Sequence, residues 1–161
     1  MLSKGASMKP ARHYLALGAL AFFLSGVTDA SAEEQEIACK KVPSAVRDAF
    51  DKAYPNATVK ACAKEVKNGE LMYEIESIEG KTARDVVYDR DGGVIVVEES
   101  LPMEAVPEAV RTAVSTKFAG GKIKLAEKLM RDGKERYELQ IAYQGKNLEA
   151  IFDPDGSEVK E

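Results

Sequence analysis

The sequence predicts an α+β fold of two tandem repeats, each one helix packed on a four-stranded antiparallel β-meander. Three observations predict it. First, the chain matches itself when slid by 64 positions: Val42, Pro43, Ala45, Val46, Arg47 and Ala49 fall on Val106, Pro107, Ala109, Val110, Arg111 and Ala113. In the same frame Gly69, Tyr73 and Glu74 fall on Gly133, Tyr137 and Glu138, and Asp89, Asp91 and Gly92 on Asp153, Asp155 and Gly156. Second, after each Val-Pro start the apolar period changes from 3.6 to 2. Third, tight-turn residues punctuate the alternating runs. The units so defined are 42–99 and 106–161, joined by a linker at 100–105.

Pro43 opens the first helix, where its missing N–H costs nothing because first-turn donors have no intrahelical partner. Val46, Ala49, Phe50 and Ala53 make its apolar stripe, and Tyr54, Pro55 and Asn56 end it. In the second unit Pro107 opens the helix, Val110, Ala113, Val114 and Phe118 repeat the stripe, and Gly120 and Gly121 close it. Val59, Ala61 and Ala63 then alternate with Lys60, Cys62 and Lys64. Asn68-Gly69, matched by Asp132-Gly133, turns the chain as a two-residue hairpin. Leu71, Tyr73 and Ile75, with later equivalents Tyr137, Leu139 and Ile141, form the next inward set. Turns at Gly80-Lys81 and Gly145-Lys146 lead to strands carrying Val86 and Tyr88, or Ala150 and Phe152. Asp91-Gly92 and Asp155-Gly156 make the last hairpins.

Adjacent strands joined by tight turns leave each helix one sheet face to cover. The other face is open. Strict alternation assigns to it Lys60, Cys62, Lys64, Met72, Glu74, Glu76 and Asp85, then Lys124, Lys128, Arg136, Glu138, Gln140 and Glu149. The expected partner-binding set is Lys60, Lys64, Met72, Glu74, Glu76, Lys124, Lys128, Arg136, Glu138 and Gln140. Glu74 and Glu138 are expected to pair across strands with Lys60, Lys64, Lys124 and Lys128. Tyr73, Tyr88, Tyr137 and Phe152 are expected in the core.

Residues 1–32 have the order of a secretory leader: Lys9 and Arg12, an apolar run from Tyr14 to Val27, then Ala30, Ser31 and Ala32. The run is too short for a bilayer core that needs about 20 residues, so cleavage near Ala32 and a periplasmic or secreted product without stable membrane insertion are expected. A leader beginning at Met8 is equally complete. Residues 33–41 then form a polar, extended or frayed N-terminal extension. Of 23 basic and 27 acidic residues, the leader takes Lys4, Lys9, Arg12 and Asp29, leaving 20 against 26. Such a balance argues against nucleic acid or an anionic membrane as partner.

The leader also takes His13, the one histidine. Without imidazole most hydrolase and zinc-site readings fall, and no cofactor or metal is expected. Cys39 and Cys62 are expected to form a disulfide in an oxidising compartment. Asp89, Asp91, Asp153 and Asp155 begin as calcium loops do, but the further ligands and closing Glu are missing, and turn chemistry explains them. Glu74 and Glu138 as an acid–base pair would need to lie close together, which nothing in the sequence implies.

VPSAVRDAF, YEI and YDRDGG in the first unit, with VPEAVRTAV, YEL and FDPDGS in the second, resemble the PepSY-like domain, grouped with beta-lactamase-inhibitor-like proteins. The resemblance covers essentially the whole chain after the leader, residues 33–161. It implies a non-enzymatic secreted or periplasmic protein that binds an envelope or secreted protein, with a peptidase among the candidates. The alternative is a periplasmic sensor of a small ligand or cation. Oligomeric state stays open, since an exposed strand edge invites self-pairing.

Overall fold

The computed structural model describes residues 34–67 and 69–160. The expected leader and Asn68 lie outside the described residues. Among the described residues two α-helices, α1 (Ser44–Ala53) and α2 (Glu108–Lys117), pack on one antiparallel sheet. Its strands are β1 (Gln35–Glu36), β2 (Thr58–Lys67), β3 (Glu70–Glu79), β4 (Thr82–Asp89), β5 (Val94–Ser100), β6 (Lys122–Arg131), β7 (Lys134–Tyr143), β8 (Lys146–Phe152) and β9 (Glu158–Val159). They follow each other across the sheet in chain order.

Each helix buries the stripe its sequence spells. Val46 and Phe50 of α1 join Val42, Cys62, Ile75, Val86 and Tyr88 in one core cluster. Val110 and Val114 of α2 join Val106, Phe118, Ala126, Tyr137, Leu139, Ile141, Ala150 and Phe152 in another. Tyr88 and Phe152 are fully buried, Tyr137 nearly so, and Tyr73 packs against the first cluster. The seam between the clusters is the β5–β6 ladder, which runs from Val96↔Arg131 to Ser100↔Glu127. Val97, packed on the first cluster, opposes Met130. Alternation from Met130 brings Ala126 of the second cluster to the same face, so both helices lie on one side.

Several expectations meet a different chain. Ser100, assigned to the linker, is the last residue of β5, and Met103–Ala105 forms a 3-10 turn. The extension before Val42 is tied down: β1 pairs with β2, and the Ile37 N–H donates to the Cys62 carbonyl at 2.8 Å. Asp132-Gly133 turns as expected, both residues having positive φ as a type I′ turn requires.

The largest departure lies in β2 and β6. The register slips between Val59 and Ala61, and at the equivalent Ile123 and Leu125. Each slip is a β-bulge, one extra residue that reverses the in–out phase of the rest of its strand. Beyond it Cys62 and Lys64 turn to the helix side, and Ala61 and Ala63 turn away. In β6, Ala126 and Lys128 turn to the helix side and Leu125, Glu127 and Leu129 away. Lys64 therefore stands beside Tyr73, and the Lys128 Nζ reaches the Glu99 carboxylate at 3.7 Å. Cys62 is buried and bonded to Cys39, with 5.2 Å between Cα atoms.

The Asp-x-Asp-Gly hairpins hold the helix starts. The Asp89 Oδ1 accepts the N–H groups of Asp91 and Gly93 at 2.8 Å, and Asp155 Oδ1 accepts that of Ser157 at 2.9 Å. Gly92 has φ +88°, and a Cβ there would stand 2.7 Å from the Ala45 carbonyl oxygen; at Gly156 it would stand 2.6 Å from that of Ala109. Gly92→Ala is therefore expected to destabilise by about 2 kcal/mol, from strained φ plus a clash with backbone. Gly69→Ala, at φ +82° with open space around it, should cost about half as much. Urea midpoints of the two variants check the order.

Candidate functional site

Among the described residues, no secondary-structure element packs on the sheet face opposite the helices. The bulges and the β5–β6 ladder decide what that face carries. One row crosses five strands as Glu76, Asp85, Glu98, Leu129 and Arg136. A neighbouring row reads Ser100, Glu127, Glu138 and Ile151. On the other side lie Ala63, Glu74, Val87, Val96 and Arg131. Carboxylates thus occur on every strand from β3 to β7.

The central acids are not at the surface. Asp85 is 4% exposed and Glu98 5%, and they stand directly opposite each other on β4 and β5. Asp85 Oδ1 and Glu98 Oε1 are buried without a hydrogen-bond donor among the described residues. Glu127 and Glu138, opposite each other on β6 and β7, are buried too. Desolvation disfavours the ionised form and neighbouring like charges add to it. Burial pushes Glu98 up to about 9, helped by Glu138, Glu127, Asp85 and Glu74. Glu74 rises to about 8, by burial and then by Glu34, Asp85, Glu76 and Glu65. Asp85 rises to about 7 through burial, Glu76 and Glu34, and Glu127 to about 7 through burial, Glu138, Asp85 and Glu149.

Of the expected partner-binding residues, Met72, Glu74, Glu76, Arg136, Glu138 and Gln140 stand on this face. Lys64 and Lys128 do not, because the bulges turn them under. Lys60 and Lys124 are the extra residues of those bulges, both exposed. The expected pairing of Glu74 and Glu138 with the four lysines is corrected: Glu74 stands between Ala63 and Val87, and Glu138 between Glu127 and Ile151. Glu98 and Glu127 were missed as face residues. Glu127 follows the unmarked bulge, and Glu98 gains its neighbours from the β5–β6 pairing. The pattern in LAEKLM carried one usable signal, an acid with Leu125 and Leu129 two positions to either side, on the same strand face.

Chemically the face offers carboxyl groups at its centre, with Arg131 and Arg136 on the same face and apolar Val87, Val96, Leu129 and Ile151 between them. Glu74 and Glu138 are separated by four strand spacings, about 19 Å, too far for the two carboxylates of a glycosidase. Arg84, on the helix side, holds Glu99 at 2.7 Å and Glu79 at 3.3 Å and lies over the Tyr54 ring. Arg136 reaches Asp153 at 3.4 Å. Among the described residues, no group of three or more His, Cys, Asp or Glu side chains is placed to hold a metal ion.

The PepSY-like family model, described as beta-lactamase-inhibitor-like, matches twice, over residues 28–96 and 72–158. The chain belongs to the PepSY-like family. Two matches in one chain fit tandem domains within the nine-stranded sheet. Solved structures share the PepSY-like protein's fold at low identity. A DUF2874-family protein of Bacteroides uniformis has TM-score 0.62 at 18% identity, covering 73% of this chain and 86% of that one. A protein of Bacteroides eggerthii described as periplasmic has TM-score 0.62 at 16% identity, covering 74% and 86%. A protein of Bacteroides fragilis described as BLIP-like has TM-score 0.58 at 24% identity, covering 73% and 84%. No curated protein matches the chain.

Proposed function

We propose that this PepSY-like protein is a non-enzymatic periplasmic module that binds another envelope protein through the sheet face opposite its helices. In this reading it is exported by cleavage near Ala32. It is built of two units, 42–99 and 106–161, each a helix on a four-stranded meander, which share one sheet so that their open faces join. The observation that carries the reading is the uncovered face itself, with carboxylates on five consecutive strands and two of them buried without a donor. Family membership supports a binding role over catalysis, and the periplasmic description of the Bacteroides eggerthii protein supports the compartment.

Affinity capture from an envelope extract tests it. The exported protein is immobilised beside a Glu74→Lys/Glu76→Lys variant, both positions being half-buried on the face. The expected result is a protein retained by the first and reduced at least tenfold on the second, with unchanged circular dichroism. Equal retention by both, or none by either, would overturn the reading.

A further inference from the structure

We infer that the face is a seat for an extended, arginine- or lysine-bearing peptide segment of the partner, centred on the Asp85–Glu98 pair. This rests on the binding reading above and names the chemistry of its partner. Burying an ionisable carboxyl without a partner is unfavourable, and a cation placed against it offsets the cost. Asp85 and Glu98 are each more than nine-tenths buried, face each other across one strand pair, and each keep an oxygen that meets no donor among the described residues. Such local departures from good packing collect where a protein is built to meet something else.

The layout selects the kind of cation. Glu76, Asp85 and Glu98 form a line across three adjacent strands, and Glu127 and Glu138 carry it over two more. With strands about 4.8 Å apart, the acids spread over about 19 Å. A single metal ion needs its ligands converging on one point, and among the described residues no three such groups converge. A spread line of acceptors suits several separate cations on one backbone. Guanidinium groups fit best, since each donates in a planar fork to carboxylate oxygens. The charges that act on Asp85 are those of Glu76 and Glu34, and those that act on Glu98 are Glu138, Glu127, Asp85 and Glu74, all carboxyls.

The test is titration of the exported protein with a fluorescein-labelled, end-capped peptide of alternating Arg and Gly, followed by anisotropy at pH 8. Asp85→Asn/Glu98→Gln removes the central carboxyls, which a bound guanidinium would hold ionised, while keeping shape. Asp48→Asn/Asp51→Asn, on the exposed side of α1, removes two carboxyls far from the face. The expected result is saturable binding, weakened at least tenfold in the first variant and less than twofold in the second. Equal weakening in both would mean nonspecific attraction to an acidic protein, and would overturn the inference. So would absence of peptide binding, or a calcium-induced rise in melting temperature lost with Asp85→Asn/Glu98→Gln while the peptide fails to bind. If the peptide fails but envelope capture still depends on Glu74 and Glu76, the binding reading stands and only the partner's chemistry is wrong.

Discussion

Raising the pH from 5 to 9 is expected to lower the melting temperature of the oxidised protein by more than about 10 °C. The cause is the acid row. Glu74, Asp85, Glu98 and Glu127 titrate in the fold near 8, 7, 9 and 7, against ordinary carboxyl values near 4. Between those values the folded chain holds protons the unfolded chain has released. Stability therefore falls as pH rises: their contribution is complete below about pH 4 and is lost progressively as pH passes 7, 8 and 9. Each tenfold difference in proton affinity is worth about 1.4 kcal/mol. The groups whose charge raises Glu98 from neighbouring elements are Glu138 from β7, Glu127 from β6, Asp85 from β4 and Glu74 from β3, and on the same face stand Arg136, in its own cross-strand row, and Arg131, in the next.

Two variants locate the effect. Glu98→Gln keeps the shape but cannot ionise, so it should raise the melting temperature by about 5 °C at pH 9 and change it little at pH 5. Asp48→Asn should do neither. A melting temperature that stays flat or climbs between pH 5 and 9 would mean the row is solvated and ordinary. The same measurement bears on the peptide seat, because a bound polycation should oppose the alkaline loss.

Why the sequence told so much of the fold and less of the face can be read at Lys60 and Lys124. The repeat, the helical stripes and the Asp-x-Asp-Gly hairpins are local, and each is written in residues whose geometry has few alternatives. Gly92 is an example, because only a residue without Cβ fits against the Ala45 carbonyl. A bulge needs no special residue, and neither lysine announces one. Yet that single extra residue decides whether Lys64 or Glu65, Lys128 or Glu127, looks away from the helices. Strict alternation therefore paints the face with mixed charge where the structure shows an acid row. The second hidden step is the β5–β6 ladder. It sets Glu98 near Glu127 through pairing between two halves of the chain, and no pattern within either strand contains it. The disulfide was accessible for another reason: Cys39 and Cys62 are the two cysteines of the chain and have one way to pair.

Removing that disulfide should cost about 3 kcal/mol, the chain-entropy value for a loop whose ends are 23 residues apart, or about 10 °C in melting temperature. Cys39 sits in the 3-10 turn before α1, and Cys62 is buried in the β2 core face against the first helix's cluster. The bridge thus fixes the entry to α1 and the edge strand β1, whose neighbour Glu34 adds to the charge around Glu74 and Asp85. The second half does without it: Ala126 lies in the α2 core cluster, with Met103 packed against it. Loss of the bridge should therefore act unevenly. In a Cys39→Ala/Cys62→Ala variant, amide exchange in β1, β2 and α1 is expected to quicken at least tenfold, with β7 and β8 changed much less. Peptide binding should weaken while the β7–β8 half stays protected, because the acid row would lose the strand that borders it. Uniform quickening through β8 would instead show the sheet opening as one cooperative unit, with the seam at β5–β6 as strong as any ladder within either half.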